Sequence, residues 1–470
     1  MRPHRAQTRT HPRSTPSPQF PPVVKRKPQT GADRQIPEPA GDVSAQSDFD
    51  LIVVGAGPAG GMTALAAAQL GLKTAVLEEH PEVGTPAHCS GKLQVHAFRE
   101  FNLPAHLILN TLQAGAFYAP DGTVARVRRA SPDSHVVDRA AFDRWLANQA
   151  QQQGAELRTG VRVRRAERLN GVMHVTGEAG GRTFSATAPI IVDAEGARPV
   201  LPQSLGMHLD RRVVLGLQYQ MRDVDLDSED CPEIYLGSPV APGFFGWLMP
   251  IGGRRARVGV CVDPHKASSA PMHYLTRLMR EHPVASRRLK AAVVERKLAG
   301  PIPVLTSRAR TVTDGMIVVG DAAGQVKATS GGGIYFSLIA ARLAAQAATA
   351  YVGGDGTALL RYERLWRRRF GRELRATAMA RLAINEMTDA EINAFIGAIA
   401  SDEALRGMIE RLGDTAFQSR LLPPLAARAL HPAHLRQLAP PMFKLLRYGL
   451  RALWADGIPA EENGPGNVNG

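Results

Sequence analysis

The chain is short of cysteine and aromatics and has no long unbroken apolar run. Its three cysteines, Cys89, Cys231 and Cys261, are an odd, sparse set that does not read as a disulfide framework, which fits a reducing compartment. Three scattered thiols also cannot build a cysteine-ligated iron–sulfur module. Aromatics are only 6% of 470 residues, so much of the core must be aliphatic. No run of about 18 uncharged apolar residues occurs. The nearest, Gly333 to Val352, is interrupted by Arg342, so no transmembrane helix is expected. No apolar segment of a secretory signal is visible near the N-terminus. A cytoplasmic location is expected, with membrane association left open.

Acids are missing from residues 1–32, which carry Arg2, Arg5, Arg9, Arg13, Lys25, Arg26 and Lys27. These supply half of the formal net charge of +14. A basic balance can point to nucleic acid or anionic lipid. No helix-turn-helix, zinc finger or aromatic RNA platform accompanies it, so no nucleic-acid partner is expected. No metal site is expected either. The proline-rich composition of residues 1–47 reads as a disordered tail rather than an amphipathic targeting helix.

Order is expected from Asp48. Phe49 to Val54 is a short apolar, β-branched run, typical of a strand buried on both faces. A glycine turn follows, then an Ala-rich helix closed by Gly71, then a second strand at Thr74–Leu77: one βαβ unit. In Gly55-Ala56-Gly57-Pro58-Ala59-Gly60 the first glycine permits the tight turn. The second lets backbone approach a pyrophosphate, and the third permits close helix–strand packing. The helix N-terminus then offers free N–H groups and a positive dipole end to the phosphates. Glu78 ends the second strand, 23 residues after Gly55, where a carboxylate can accept from ribose hydroxyls. A dinucleotide is expected here, though this turn alone does not separate NAD from FAD.

The distant segment Met316-Ile317-Val318-Val319-Gly320-Asp321-Ala322-Ala323-Gly324 makes that separation. It resembles the second flavin fingerprint of the aromatic-hydroxylase group. That resemblance implies that Asp321 binds the ribityl chain of FAD. It also implies that Gly331-Gly332-Gly333-Ile334 opens a helix against the isoalloxazine, whose pyrimidine edge gains negative charge on reduction. A helix N-terminus suits such a charge.

Three further features narrow the resemblance. Pro86-Ala87-His88-Cys89-Ser90-Gly91 matches Pro-x-x-Cys-x-Gly. Phe245-Gly246-Trp247-Leu248-Met249-Pro250 resembles Tyr-x-Trp-x-Phe-Pro, with Phe245 and Met249 as departures. After the glycine-rich segment comes a long helix and then Tyr362-Glu363-Arg364-Leu365-Trp366 with Phe370-Gly371-Arg372-Glu373-Leu374. Together these are similar to the geranylgeranyl reductase family, from about Asp48 to Leu422. The resemblance implies an FAD-dependent reductase saturating isolated C=C bonds of a prenyl chain on a lipid, pigment precursor or quinone. Electrons would come from NAD(P)H or a ferredoxin-like carrier.

Carried over residue by residue, the resemblance implies cofactor contacts at Gly55, Gly57, Ala59, Gly60, Glu78, Cys89, Ser90, Lys92, Arg139, Val163, Gly320, Asp321, Gly332, Gly333 and Ile334. Phe245, Trp247, Met249 and Pro250 would meet the substrate, with Phe244 and Leu248 as further walls. Cys89 would gate, position or protonate it. Asp193-Ala194-Glu195-Gly196 resembles a structural turn near the FAD. Two basic stretches are candidates for lipid contact: the arginines from Arg361 to Arg372, and Met442 to Arg451, where apolar residues and cations alternate at helical spacing.

The expected fold is α/β: a Rossmann-type FAD-binding domain, an inserted antiparallel-sheet substrate domain (α+β) and a C-terminal helical region. The divisions expected are a tail over 1–47, FAD-binding parts at 48–210 and 301–380, the sheet domain at 211–300, helices at 381–456 and a flexible end at 457–470. Pro423, Pro432, Pro440 and Pro441 are read as helix breaks. The same fold could serve an FAD-dependent monooxygenase, epoxidase or halogenase, distinguished by oxygen dependence. A binding protein without turnover is the reading from another class. Oligomeric state has no sequence signal.

Overall fold

The computed structural model describes residues 47–209, 211–306, 310–431 and 435–454. Residues 1–46 and 457–470, expected as tails, lie outside these.

Leu51–Val54 is the centre of a six-stranded sheet, flanked in parallel by Thr74–Glu78 and Ile190–Asp193. Met316–Val318 pairs in parallel beyond Ile190–Asp193, and Glu156–Thr159 beyond Thr74–Glu78. The hairpin strand Val312–Thr313 closes one edge. Side-chain alternation divides the central strand between two cores. Leu51 and Val53 pack with the helices Pro58–Gln69 and Ile334–Val352. Ile52 and Val54 pack under a three-stranded meander, Val161–Leu169, Val172–Ala179 and Arg182–Ala188. Burial on both faces is why the strand reads as a continuous apolar run.

The second large sheet has seven strands, in the order Val293–Thr306, Arg211–Arg222, Arg255–Val262, Gly246–Gly252, Glu233–Tyr235, Ala114–Tyr118 and Val124–Arg128. It is antiparallel except where Glu233–Tyr235 runs parallel to Ala114–Tyr118. The sheet is therefore wider than the 211–300 expected from sequence. The Ala114–Arg128 hairpin joins it from the first FAD-binding segment, because a non-local backbone pairing leaves no local signature. One face packs against the helix Pro271–Glu281 through Tyr274, Leu275 and Leu278. The other presents Trp247, Met249 and Val214 toward Ala378, Met379 and Leu382 of the helix Arg372–Asn385, and toward Tyr448.

The C-terminal helices include Asp389–Ser401, Glu403–Leu412, Leu422–Ala429 and Leu435–Trp454. Thr388 starts the first with a capping box to Glu391. Pro440 and Pro441 do not break the last helix but lie inside it. Each removes one ladder bond, and packing of Leu438, Leu445 and Tyr448 against the body holds the helix together. Pro423 likewise sits in the first turn of its helix, where its missing N–H costs nothing. No helix among the described residues is long and apolar enough to cross a membrane.

Candidate functional site

The glycine turn is built by steric fit. Gly55 has φ +98°, and a Cβ there would meet the Ala194 carbonyl oxygen at 2.4 Å. A Cβ on Gly60 would come within 1.8 Å of the Gly55 oxygen. Gly57 is different: nothing lies within 4 Å of where its Cβ would stand. It caps the helix Pro58–Gln69 with no side-chain bond, so the first-turn N–H groups face open space. Ala194 thus closes the turn from below, in the role expected of the Asp193–Gly196 segment.

Glu78 braces this turn. One carboxylate oxygen accepts from Ala56 N at 2.8 Å, and the other from His80 N at 3.0 Å, with His80 Nδ1 2.6 Å away. Glu79 and His80, which carry no sequence motif, form the cavity wall beside it. Val163 is buried in the core beneath the meander and does not line the cavity.

The second anchor meets the first directly. Gly320, at φ +65°, would place a Cβ 2.9 Å from Ala59 Cβ, so only glycine lets the two chain segments touch. Gln325 locks this turn. Its Oε1 accepts from Gly320 N at 2.7 Å, and its Nε2 donates to Tyr362 Oη at 3.1 Å, which in turn donates to Val318 O. Asp321 and the Gly331–Gly333 segment line the same cavity as Gly57. Burial raises the Asp321 carboxyl above the ordinary range, against Arg139 and Arg211. Gly333 caps the helix Ile334–Val352, again without a side-chain bond.

A small sheet assembles the third side. Ser134–Val137 pairs with Lys92–Gln94, and Asp138 caps the helix that begins at Arg139. Lys92, Arg139 and the Cys89 loop are thereby brought together. Arg139 pairs with Asp143 at 2.9 Å and lines the cavity together with Cys89. Burial alone would lower the Arg139 pKa, but Asp143 and Cys89 outweigh it and raise it. Burial lowers Lys92, opposed by Asp133 at 3.8 Å.

Two residues without a sequence signal tie this loop to the large sheet. Arg257 donates to the Ser90 carbonyl at 2.7 Å. Gln218 donates to the Cys89 carbonyl at 3.4 Å and accepts from Trp247 Nε1 at 3.1 Å. The Cys89 and Trp247 motifs, 158 residues apart in sequence, are thus one hydrogen-bonded unit. Gly259 makes room for the indole, since a Cβ there would lie 2.4 Å from Trp247 Cζ2.

Strand alternation corrects the expected substrate wall. Trp247 and Met249 face the cavity, with Phe245 stacked on Phe244 at 4.6 Å beside them. Leu248 and Pro250 fall on the opposite face. Leu248 packs in the core under the helix Pro271–Glu281, and Pro250 is not part of the cavity.

All these surfaces enclose one cavity of about 1480 Å³. It runs from Gly57 past Cys89 and Gly332 to an apolar reach walled by Trp247, Ile384, Phe395, Ile399, Leu425 and Met442. Pockets for a single drug-sized ligand run to roughly 300–1,000 Å³, so this space has room for more than one such ligand. The lining fits FAD: two helix N-termini without side-chain caps and the open Gly57 edge offer N–H donors, Arg139 offers a cation, and Asp321 offers an acceptor.

Comparison with known proteins agrees. The FAD binding domain family matches residues 48–377. A digeranylgeranylglycerophospholipid reductase of Methanopyrus kandleri is 31% identical over 369 residues, covering 76% of this chain and 92% of its own. One from Methanothermobacter thermautotrophicus is 32% identical over 363 residues, 74% of this chain and 91% of its own. A crystal structure of a geranylgeranyl bacteriochlorophyll reductase-like protein from Thermoplasma acidophilum superposes with TM-score 0.74 at 24% identity, covering 84% of this chain and 99% of that one. The FAD binding domain match and these relatives make the chain a member of the FAD-dependent geranylgeranyl reductase family.

Proposed function

We propose that this enzyme saturates isolated C=C bonds of a geranylgeranyl-type chain carried by a lipid, pigment precursor or quinone. The observation that carries the reading is the continuity of one cavity from the dinucleotide turn to a long apolar reach. An isolated alkene has no carbonyl to accept developing charge, so the protein's main contribution is placement. Positioning contributes on the order of 7–11 kcal/mol when the geometry is near-attack. Reduced FAD, when bound, supplies the hydride.

Gly55, Gly57, Ala59 and Gly60 would hold the pyrophosphate, with Asp321 on the ribityl chain and Gly332, Gly333 and Ile334 at the ring. Trp247 and Met249 hold the prenyl chain on one side, and Ile399 and Leu425 on the other. Their apolar surfaces exclude water. Cys89, half-buried between Arg139 and the Gln218–Trp247 link, positions or protonates the alkene at the mouth between the two regions.

Substrate entry from a membrane surface is supported by the helix Leu435–Trp454. Met442 and Leu445 line the cavity, while Phe443 and Leu446 are 69% and 59% exposed. Two of its cations are engaged: Lys444 pairs with Glu391 and Arg447 with Glu386. In the other basic stretch Arg361 pairs with Asp355 and Arg369 with Glu100. Apolar insertion rather than charge would then be the main contact of the last helix.

The test is reduction of the purified, FAD-loaded protein by NAD(P)H or by a reduced iron–sulfur carrier, followed by prenyl lipids, pigment precursors and quinones. A product heavier by one dihydrogen per bond, formed without oxygen, is expected. A product heavier by one oxygen atom, formed only in air, would replace this reading with a monooxygenase.

A further inference from the structure

Lys327 is 3% exposed, in the loop between the Gly320–Asp321 turn and the Gly331–Gly333 helix start. The loop is closed on itself: Lys327 N donates to the Gly332 carbonyl at 3.3 Å, and Gly331 N to the Lys327 carbonyl at 2.9 Å. The side chain therefore has a fixed origin. Its amine donates to the Thr415 carbonyl and lies 5.9 Å from the centre of the Phe336 ring.

The carboxylates around it are otherwise engaged. Glu373 accepts from Ser419 N at 3.1 Å, Asp414 accepts from Ala416 N at 2.7 Å and pairs with Arg420, and Asp133 lies 3.8 Å from Lys92. Among the described residues no carboxylate pairs with Lys327, and Lys92 opposes it in charge. Taking a cation out of water without a direct ion pair is costly, even with carboxylates nearby. Burial accordingly lowers the amine to about 8, against the pull of Glu373, Asp414 and Asp133.

The amine opens on the flavin end of the cavity. A Cβ on Gly332 would stand 3.6 Å from Lys327 Nζ and 3.3 Å from Ser330 Oγ. Ser330 Oγ and Thr415 Oγ1 are both buried without a partner. An amine and an unpartnered hydroxyl thus converge on the bare glycine edge of a helix N-terminus. That constellation suits an anionic, hydrogen-bond-accepting ring edge.

We propose that the Lys327 ammonium is the counter-charge for reduced FAD and sets its reduction potential, a claim that rests on the flavin reading of this cavity. The acceptor is the ring edge at Gly332, with Ser330 as auxiliary donor. Reduction places negative charge there, so the amine holds its proton more tightly when the flavin is reduced. Between the amine's two pKa values, reduction takes up one extra proton, and the potential falls more steeply with pH.

The experiment is potentiometric titration of bound FAD across neutral to alkaline pH in the wild type, Lys327→Met and Lys327→Arg. Lys327→Met should bind oxidised FAD but lose at least tenfold in preference for the reduced form, a drop of about 30 mV for a two-electron couple. Its extra pH dependence should vanish. Lys327→Arg keeps the charge at all pH, so its potential should stay near wild type while the steep segment disappears. An unchanged potential in Lys327→Met overturns the proposal. So does a steep segment that persists in Lys327→Arg, which serves alone if the Met variant does not fold. A wild-type protein that binds no FAD would instead refute the underlying site assignment, and the proposal with it.

Discussion

Gly57→Ala and Gly60→Ala separate cofactor space from packing space within one turn. Gly57 has φ −70° and ψ −169°, which alanine adopts freely, and its Cβ would meet nothing within 4 Å. The apoprotein should keep its stability, or gain about 0.4–1 kcal/mol from a stiffer unfolded chain. Yet the new methyl would project into the open space where the proposed function places the pyrophosphate. A hydrogen bond to a charged group contributes roughly 1.5–3 kcal/mol. Losing two first-turn N–H contacts costs about 3–6 kcal/mol, or roughly two to four powers of ten in FAD affinity. Gly60→Ala acts on the fold itself, because its Cβ would overlap the Gly55 oxygen at 1.8 Å. Backbone cannot rotate aside, so apoprotein stability should fall by about 1–3 kcal/mol or more. FAD affinity by fluorescence titration and apoprotein stability by urea unfolding read the two effects independently. A Gly57→Ala protein that binds FAD like the wild type would refute the placement of the pyrophosphate.

Three further outcomes are expected. Burial raises the Asp321 pKa, so its contribution to stability is present at low pH and lost as pH rises through the folded value. Asp321→Asn should therefore make the apoprotein relatively more stable at neutral and alkaline pH in urea unfolding, while weakening FAD; an unchanged pH profile would count against a buried carboxylate. Ile399→Trp, at the far apolar wall, should cost about 1–3 kcal/mol by overpacking and leave more double bonds unreduced in the product, read by mass spectrometry at unchanged flavin content. Changing Phe443 and Leu446 together to Ser should abolish co-sedimentation with anionic vesicles without loss of FAD, and wild-type binding by that variant would end the membrane-entry idea.

Local patterns were legible where one short segment carries its own constraint. The Gly55–Gly60 turn is such a case, since strand, glycines and helix follow one another within a single βαβ unit. The Gly320–Asp321 turn is another, although its meaning came from resemblance to a flavin fingerprint. Positions that depend on strand facing were read only in part. The motif from Phe245 to Pro250 reads as a continuous wall, but alternation turns Leu248 and Pro250 away from Trp247 and Met249.

By itself, then, the order of residues determined that a dinucleotide turn exists and that a second glycine turn at Gly320 accompanies it, while the Cys89 and Trp247 motifs take their meaning from resemblance to a family. Each turn rests on contacts between near neighbours in the chain. Only the tertiary structure decided that these elements surround one cavity. Gly320 against Ala59, Gln218 between Cys89 and Trp247, and Lys327 at the Gly332 edge are contacts between distant segments. Periodicity in a single chain does not encode which segments will meet, because that choice is made by the packing of whole sheets and helices.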